Sequence, residues 1–345
     1  MTKKAIPVEP DQEWTVHRFR PQDAPGVIDL FRSVYGDKYP VPTYLEPELL
    51  ARENREGRVI SSVATTPSGA VVGHHALFNS APNPRIFESG AGVVHLLYRG
   101  GRGITTHLSS HGVEMGKTSP GIDLIYGETV CNHPFSQKAM NKARMICRAM
   151  EVSLMPAAAY VKEQSAESRV STVLGFLTLK PRPCTVFVPR GLEHHFSLCY
   201  EGLDDTRTFE AAGGVPGSPE SRIHTQIFEF AQVARVAVHD AGKNFQARIT
   251  AEDERLTRQG IRVIQVWLNT GQPCVGQAVD HLKAMGYFWG GVLPQWFGTD
   301  GMLMQKVLDD PDWEGAVLAN ERNAQIAGLV RREWALIQAK PGSVL

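Results

Sequence analysis

The stretch "HLLYRGGRGITTHL", His95 to Leu108, decides how this chain is read. Gly100, Gly101 and Gly103 lie among Arg99 and Arg102, behind the apolar run Gly92-Val93-Val94 and ahead of a helical spacing. Glycine lets main-chain N–H groups approach an anion closely. The first turn of the following helix adds unpaired N–H groups and the positive end of a dipole. Arg99 and Arg102 are suited to pair with phosphate oxygens. A tight strand-to-helix turn with solvated arginines has the same composition, so the turn alone does not decide. It is not a Walker A loop, because no Gly-Lys-Ser/Thr follows. It is not a Rossmann fingerprint, because the G-x-G-x-x-G spacing is missing and no βαβ unit precedes it.

Outward from the turn, the first half alternates clear signals. Trp14 to Phe19 reads as a strand, and Asp23 caps a helix whose apolar residues are Val27, Ile28, Leu30, Phe31 and Val34. A second helix spans about Pro47 to Glu53. "RVISSVATT" and "AVVGHHALFNS" are strands joined by the turn Pro67-Ser68-Gly69. "SGAGVVHLLY", ending at Tyr98, is the strand that enters the glycine turn, and the next helix runs to about Lys117. "IDLIYGETV" is a strand, Pro134 to Arg148 a helix, and "AMEVSLM" a strand. Paired strands followed by strand-helix units predict a mixed α/β sheet.

After the proline- and glycine-rich "AAGGVPGSPESR", the second half repeats this order more loosely. "RIHTQIFEFAQVARVAVHD" reads as two strands, "AEDERLTRQG" as a helix, "IRVIQVWLN" as a buried strand and "VGQAVDHLKAMGYF" as a helix closing at glycine. "MLMQKV" is the last strand, with helices to the end. Nothing between Arg222 and Gly260 matches the Arg-Gly-Gly-Arg-Gly turn.

On these residues His17 to Pro156 resembles the GNAT-type N-acetyltransferase superfamily. In that family a strand ends in an Arg/Gln-x-x-Gly-x-Gly/Ala turn that binds the pyrophosphate of acetyl-CoA. The run from Tyr98 to Thr105 is similar, with a departure. If Gly103 is the inner glycine, Gly100 stands where arginine is usual, Thr105 where glycine or alanine is usual, and Arg99 comes one position early. The resemblance implies a diphosphate held by Arg99, Gly100, Gly101, Arg102, Gly103, Ile104 and Thr105. It also implies pantetheine contacts from Leu96, Leu97, Asn132 and Phe135. "CNHPFSQKAMNKARMI" matches the family's next helix, with Met140 where a tyrosine commonly protonates the departing thiolate and Arg144 where a glycine is usual. "AVDHLKAMGYFWGGVLPQWFGTDGMLMQKV" resembles the closing helix, strand and hairpin of the same fold, with Met285-Gly286-Tyr287 at the Leu-Gly-Phe place. The implied architecture is two tandem GNAT-like lobes, each a mixed, mostly antiparallel sheet flanked by helices, the second degenerate. Residues 13–160 form the acyl-CoA lobe, 161–221 a connecting segment and 222–335 the degenerate lobe.

Acyl transfer to an amine needs a polarised thioester carbonyl, a deprotonated amine and alignment of the two. The resemblance places the thioester between the strands ending at Tyr98 and near Val130. Amides around His95 to Leu97 would then hold the pantetheine and polarise the carbonyl. Glu128, near the end of its strand among apolar neighbours, is the first choice of proton acceptor. A plain ion pair is the competing reading of Glu128. His95 is second choice, with a core histidine as its rival, and Glu88 and Tyr126 follow. Cys131 has no assignable histidine-carboxylate partner, so direct attack by the amine is favoured over an acyl-enzyme.

Other features point elsewhere. His107, His111 and Glu114 share a helix face but form no H-E-x-x-H, so they read as a solvated face and no metal is expected. His74 and His75 alternate sides of a strand and cannot serve one ligand. Trp289 and Trp296 read as cover for the second hairpin, or else as an aromatic clamp.

Composition sets the bounds. A chain of 345 residues suggests two domains, and a formal net charge of 0 gives no pull toward nucleic acid or an anionic membrane. No apolar run is long enough to span a bilayer, and "MTKKAIPVEPDQEW" lacks a signal-peptide core. The 5 cysteines, Cys131, Cys147, Cys184, Cys199 and Cys274, are scattered, which suits a reducing compartment. The expectation is therefore a cytoplasmic acyl-CoA-dependent N-acyltransferase that moves an acetyl group to a small amine. Its rivals are an acyl-CoA-binding regulatory protein that has lost transfer, and a thioester hydrolase or decarboxylase on the same scaffold.

Overall fold

The computed structural model describes residues 6–101, 103–157, 168–203 and 206–339, so Arg102 lies outside the described residues. The chain divides into two packing units, one of 1–128 with 139–145 and one of 129–138 with 146–345. Among the described residues no helix is long and apolar enough to cross a membrane.

The first unit holds β1 (Thr15–Arg18), α1 (Ala24–Tyr35), α2 (Pro47–Arg55), β2 (Val59–Thr65), β3 (Val71–Phe78), β4 (Ile86–Val94), α3 (Ile104–Thr118) and most of β5 (Leu124–Val130). Its strands lie in sequence order, β1-β2-β3-β4-β5. All neighbours are antiparallel except β4 and β5, the pair joined across α3. The sheet is mixed and flanked by helices, as read.

Each face of this sheet has its own helix. On α1, Val27, Ile28, Leu30, Phe31 and Val34 recur at helical spacing and pack with Leu50, Tyr44, Val63 and Val93. α3 lies close on the opposite face because its facing positions are small. A Cβ on Gly116 would stand 2.5 Å from Ile125 Cδ1, and one on Gly112 would stand 3.0 Å from His75 Nδ1. His74 points the other way, its ring 5.4 Å from Phe31 and 5.3 Å from Tyr44.

α4 (Phe135–Lys142) bridges the two stretches of chain, and the remaining elements belong to the second unit. They are β6 (Ile146–Met155), β7 (Val170–Thr178), β8 (Cys184–Val188), α5 (Glu193–Tyr200), β9 (Arg207–Ala211), β10 (Arg222–Phe228), β11 (Val233–Asp240), α6 (Phe245–Arg258), β12 (Val263–Asn269), α7 (Val275–Ala284), β13 (Phe288–Leu293), β14 (Gly301–Val307) and α8 (Glu321–Gln338). The strands run β7-β6-β13-β14-β12-β11-β10, with β8 and β9 as a separate parallel pair. The stretch read as a connecting segment thus contributes β7, α5 and the β8–β9 pair, and β6 packs in the second unit. The order hairpin, helix, parallel strand, helix, hairpin occurs twice, from β3 to β7 and again from β10 to β14. Trp289 and Trp296 are fully buried in this unit, Trp296 edge-on to Trp267 at 5.2 Å.

Two buried histidines make the first unit sensitive to acid. Burial pushes His74 down from 6.5 to about 4, and it pushes His75 to about 3 with a further contribution from His74. The unfolded chain protonates both rings near their ordinary pKa, whereas the folded chain resists. Stability is therefore lost as pH falls from about 6.5 toward 4, by up to roughly 1.4 kcal/mol per pH unit for each ring. Denaturant titrations between pH 7 and pH 5 should show this slope, and His75→Asn should flatten it by about half. An unaltered slope in that variant would contradict the assignment.

Candidate functional site

The ladder between β4 and β5 is short for the strands that form it. Its register runs Ile86–Leu124, Phe87–Ile125, Glu88–Tyr126 and stops, although β4 continues to Val94 and β5 to Val130. Burial follows the same break. Ile86 and Phe87 are buried, Glu88 to Ala91 are half-exposed, and Gly92 is exposed in a strand flanked on both sides. The cause lies at a bulge. Pairing with β3 slips between His74 and Ala76, and Ala91 takes a φ of +48°. His74 Nδ1 donates to the Ala91 carbonyl at 2.9 Å while Nε2 meets Ser61 Oγ at 3.0 Å, and Ser61 Oγ accepts from Asn54. This buried relay fixes the bulge that lets β4 swing away from β5.

The glycine turn sits beyond the open end of β4. Its two ends are anchored. Tyr98 and Ile104 are buried in one cluster with Ala64, Val72 and Leu108. Tyr98 Oη donates to Glu9 O at 2.7 Å. Between them Gly100, Gly101 and Gly103 have φ of +91°, +97° and +72°, the left-handed region that a side chain resists. A Cβ on Gly100 or Gly101 would meet nothing within 4 Å, so the requirement there is backbone conformation and not space. Gly103 caps α3 with no side-chain hydrogen bond, which leaves the first-turn amides of this helix to other partners.

At the closed end of the parting lies a carboxylate. Tyr126 Oη donates to Glu88 Oε2 at 2.9 Å and Ser80 Oγ donates to the same oxygen at 2.7 Å, with the two hydroxyls 2.5 Å apart. Tyr39 and Tyr44, from the segment between α1 and α2, lie near enough that the Glu88 charge adds to the burial that raises both phenols. The structure brings together Glu88 and Tyr126, the two residues ranked last as proton acceptors. Their pairing depends on the β4–β5 register, which neither local sequence discloses.

The other sequence-derived residues fall as follows. The strand read through Tyr98 ends at Val94, and Leu96–Tyr98 is a 3-10 turn. His95 caps it, its Nδ1 accepting from Leu97 N at 3.3 Å. That bond spends the basic lone pair of the ring, and partial burial together with Arg99 lowers its proton affinity further. His95 also lines a groove of about 280 Å³ with Asp29 and Ser33 of α1. The amides expected to polarise the thioester are engaged internally: His95 N with Val72 O, Leu97 N with His95, Tyr98 N with His95 O. Leu96 and Leu97 are exposed apolar side chains on this turn. Arg99 folds back, Nε to Val94 O at 3.1 Å. Ile104 is a core residue, so only its main chain is available to a ligand, and Thr105 is exposed. Glu128 is half-buried two residues past Tyr126, on the same face by strand alternation. Asn132 and Phe135 fall in the second unit, where Phe135 is 72% exposed and lies 5.3 Å from the His133 ring. His107 donates to Gly103 O and His111 meets Ser62, so the two rings serve separate structural contacts.

α4 ends at Lys142, short of the Arg148 read from the sequence, and Arg144 takes a φ of +60° while Met145 N bonds Met140 O and Arg144 N bonds Asn141 O. The second unit repeats the motif with an actual glycine: Gly286 has a φ of +91°, and Tyr287 N bonds Leu282 O.

The parallel pair of the second unit is closed. β11 and β12 stay in register from Val233–Val263 to Val238–Leu268. The start of α6 is occupied by the chain itself. Lys243 N donates to Ser218 O at 2.9 Å, Asn244 N to Pro219 O at 3.3 Å and Gly242 N to Ser221 Oγ at 3.0 Å.

No family model and no curated protein matches the chain. Over about half its length it is similar to solved structures of GNAT-family N-acetyltransferases. An N-acetyltransferase from Staphylococcus aureus matches at 14% identity and TM-score 0.38, over 49% of this chain and 99% of that one. A phosphinothricin acetyltransferase from Sinorhizobium meliloti, in complex with acetyl-CoA, matches at 16% and 0.38, over 48% and 89%. A spermidine/spermine N-acetyltransferase from Vibrio cholerae matches at 12% and 0.37, over 48% and 95%.

The buried thiols give this site a direct check. Burial pushes Cys131 up to about 12, and Cys199 likewise to about 12, so both stay protonated at neutral pH. In the folded protein at pH 8 neither should react with iodoacetamide on the timescale of a free thiol. Rapid labelling of Cys131, read by peptide mass, would reopen an acyl-cysteine route.

Proposed function

We propose that this chain is an acyl-CoA-dependent N-acyltransferase that moves an acetyl or other short acyl group to a small amine by direct attack. The observation that carries the reading is the parting of β4 and β5 beyond Glu88, with the anchored glycine turn and the uncapped α3 at its mouth. A strand edge inside a sheet leaves main-chain donors and acceptors that need partners, and the pantetheine arm carries amides at a strand-like spacing. Amides of the turn and the first turn of α3 suit a diphosphate, with Arg99 and Arg102 as countercharges. The repeated element order supports a tandem GNAT-like arrangement with a degenerate second lobe. An intracellular, reducing setting fits the unpaired cysteines.

In this reading the acceptor nitrogen approaches the closed end of the parting. Glu88 takes a proton from the attacking amine as the C–N bond forms and the C–S bond breaks. Tyr126 and Ser80 orient the carboxylate, and Tyr39 and Tyr44 shield it from water. The departing sulfur requires one proton, which is the one Glu88 has just received; Tyr126, bonded to that carboxylate, is the hydroxyl able to hand it on. A second reading is favoured by Met140: with no tyrosine at that position, the lobe would bind acyl-CoA without transfer.

Calorimetry with acetyl-CoA should give one site per chain, since the second parallel pair is closed. Absence of both heat and a melting upshift would end the CoA reading. Glu88→Gln should lower kcat by about 10²–10⁴-fold with acetyl-CoA affinity unchanged, followed by thiol release on an amine panel. A larger loss in Glu128→Gln than in Glu88→Gln would return the role of base to Glu128. Affinity without thiol release on any amine would favour the regulatory reading, and release without amine would favour a hydrolase.

A further inference from the structure

We infer that Tyr98 is a positioning residue for the glycine turn, and that residues 8–14 form the strap through which it acts; this rests on the acyl-CoA reading above. Tyr98 is buried, and its phenol oxygen serves two main-chain groups of that strap. Oη donates to Glu9 O at 2.7 Å and accepts from Gln12 N at 3.2 Å. The two groups meet at one oxygen because a turn at Pro10-Asp11 reverses the chain between them, with Asp11 at a φ of +59°. A phenol donates and accepts from the end of a rigid ring. Phenylalanine fills the same space and does neither.

The strap also reaches the other end of the turn. Trp14 stands edge-on to the His107 ring at 5.3 Å, and His107 Nδ1 donates to Gly103 O at 2.9 Å. Val8 and Trp14 pack on the cluster that holds Tyr98, Ile104 and Leu108. Gly100 and Gly101 therefore lie between two points gripped from residues 8–14. Glycine has the widest backbone freedom of any residue, so a turn with three of them loses much entropy when a ligand orders it. Holding both ends removes part of that cost before the ligand arrives. Such coupling is reciprocal: a strap that favours the occupied turn is itself favoured when the turn is occupied. Nothing in "VEPDQEW" alone assigns it this task, since Glu9 and Gln12 act through main-chain groups on a residue 89 and 86 positions onward.

The probe is 3′-phospho-ADP, the part of CoA that the turn is read to hold. In Tyr98→Phe its dissociation constant should rise about fivefold and KM for acetyl-CoA by the same factor, with kcat changed less than about threefold. Saturating 3′-phospho-ADP should slow amide hydrogen exchange of residues 8–14 in the wild type, and Tyr98→Phe should lose that slowing. His107→Phe keeps a ring against Trp14 but gives up the side-chain bond to Gly103 O. It should weaken the fragment in the same direction by a smaller factor, and it carries the test should Tyr98→Phe fail to fold. A lower melting temperature with fragment affinity unchanged would mark a purely structural role and overturn the inference. So would a wild type that binds the fragment without any slowing of exchange in residues 8–14. Wild-type protein that binds neither 3′-phospho-ADP nor acetyl-CoA would instead overturn the acyl-CoA reading on which the inference rests.

Discussion

A central β-strand that leaves its parallel neighbour midway carries a cost that the rest of this fold is arranged to meet. β4 must stay bonded to β3 while parting from β5, and a regular strand cannot do both. The bulge at Ala91 resolves the conflict by inserting a residue on one side of the ladder, at the expense of a left-handed alanine. Such a conformation persists only when its surroundings over-determine it. Here the determinant is the hydrogen bond from His74 to the Ala91 carbonyl, backed by Ser61 and Asn54 and walled by Phe31 and Tyr44. Burial keeps the imidazole neutral, so one nitrogen donates and the other accepts, as the relay requires. The helix face of α1 thus does more than close a core.

The glycine turn makes sense only with that parting. Left-handed glycines and an uncapped helix start are common enough in loops. What distinguishes this turn is that both its ends are buried in one cluster while Gly100, Gly101 and Gly103 take the left-handed conformation. Tyr98 and Ile104 sit in the same apolar cluster, so the two ends of the turn are held together. The anchors hold the geometry in the absence of a ligand, which lowers the ordering cost of binding one.

How far all this could be read from sequence depends on the range of the interaction concerned. The turn, the helix starts at Asp23 and after Gly103, and the helix end at Gly286 are local and legible, whereas the helix read on to Arg148 ends at Lys142. The strand end at Val94 was missed because His95 looks like another apolar-strand residue, until its ring is seen capping Leu97. β7 is missed because "VSTVLGFLT" is a short apolar run whose periodicity alone does not mark it as a strand. Glu88 was undervalued for a different reason. Its partners Ser80 and Tyr126 lie 8 and 38 positions away, and only strand register unites them.

The second unit shows what the same order of elements does without an open seam. β11 and β12 pair from Val233–Val263 to Val238–Leu268, and the amides of Lys243, Asn244 and Phe245 at the start of α6 donate to carbonyls of the same chain. Two open seams in one chain would double the burden of unpaired main chain, and nothing in the second half supplies a relay like that of His74. The second unit instead holds part of its own chain stiff. Its C-terminal helix reaches back to fix residues 130–137, the stretch that follows the open seam in sequence.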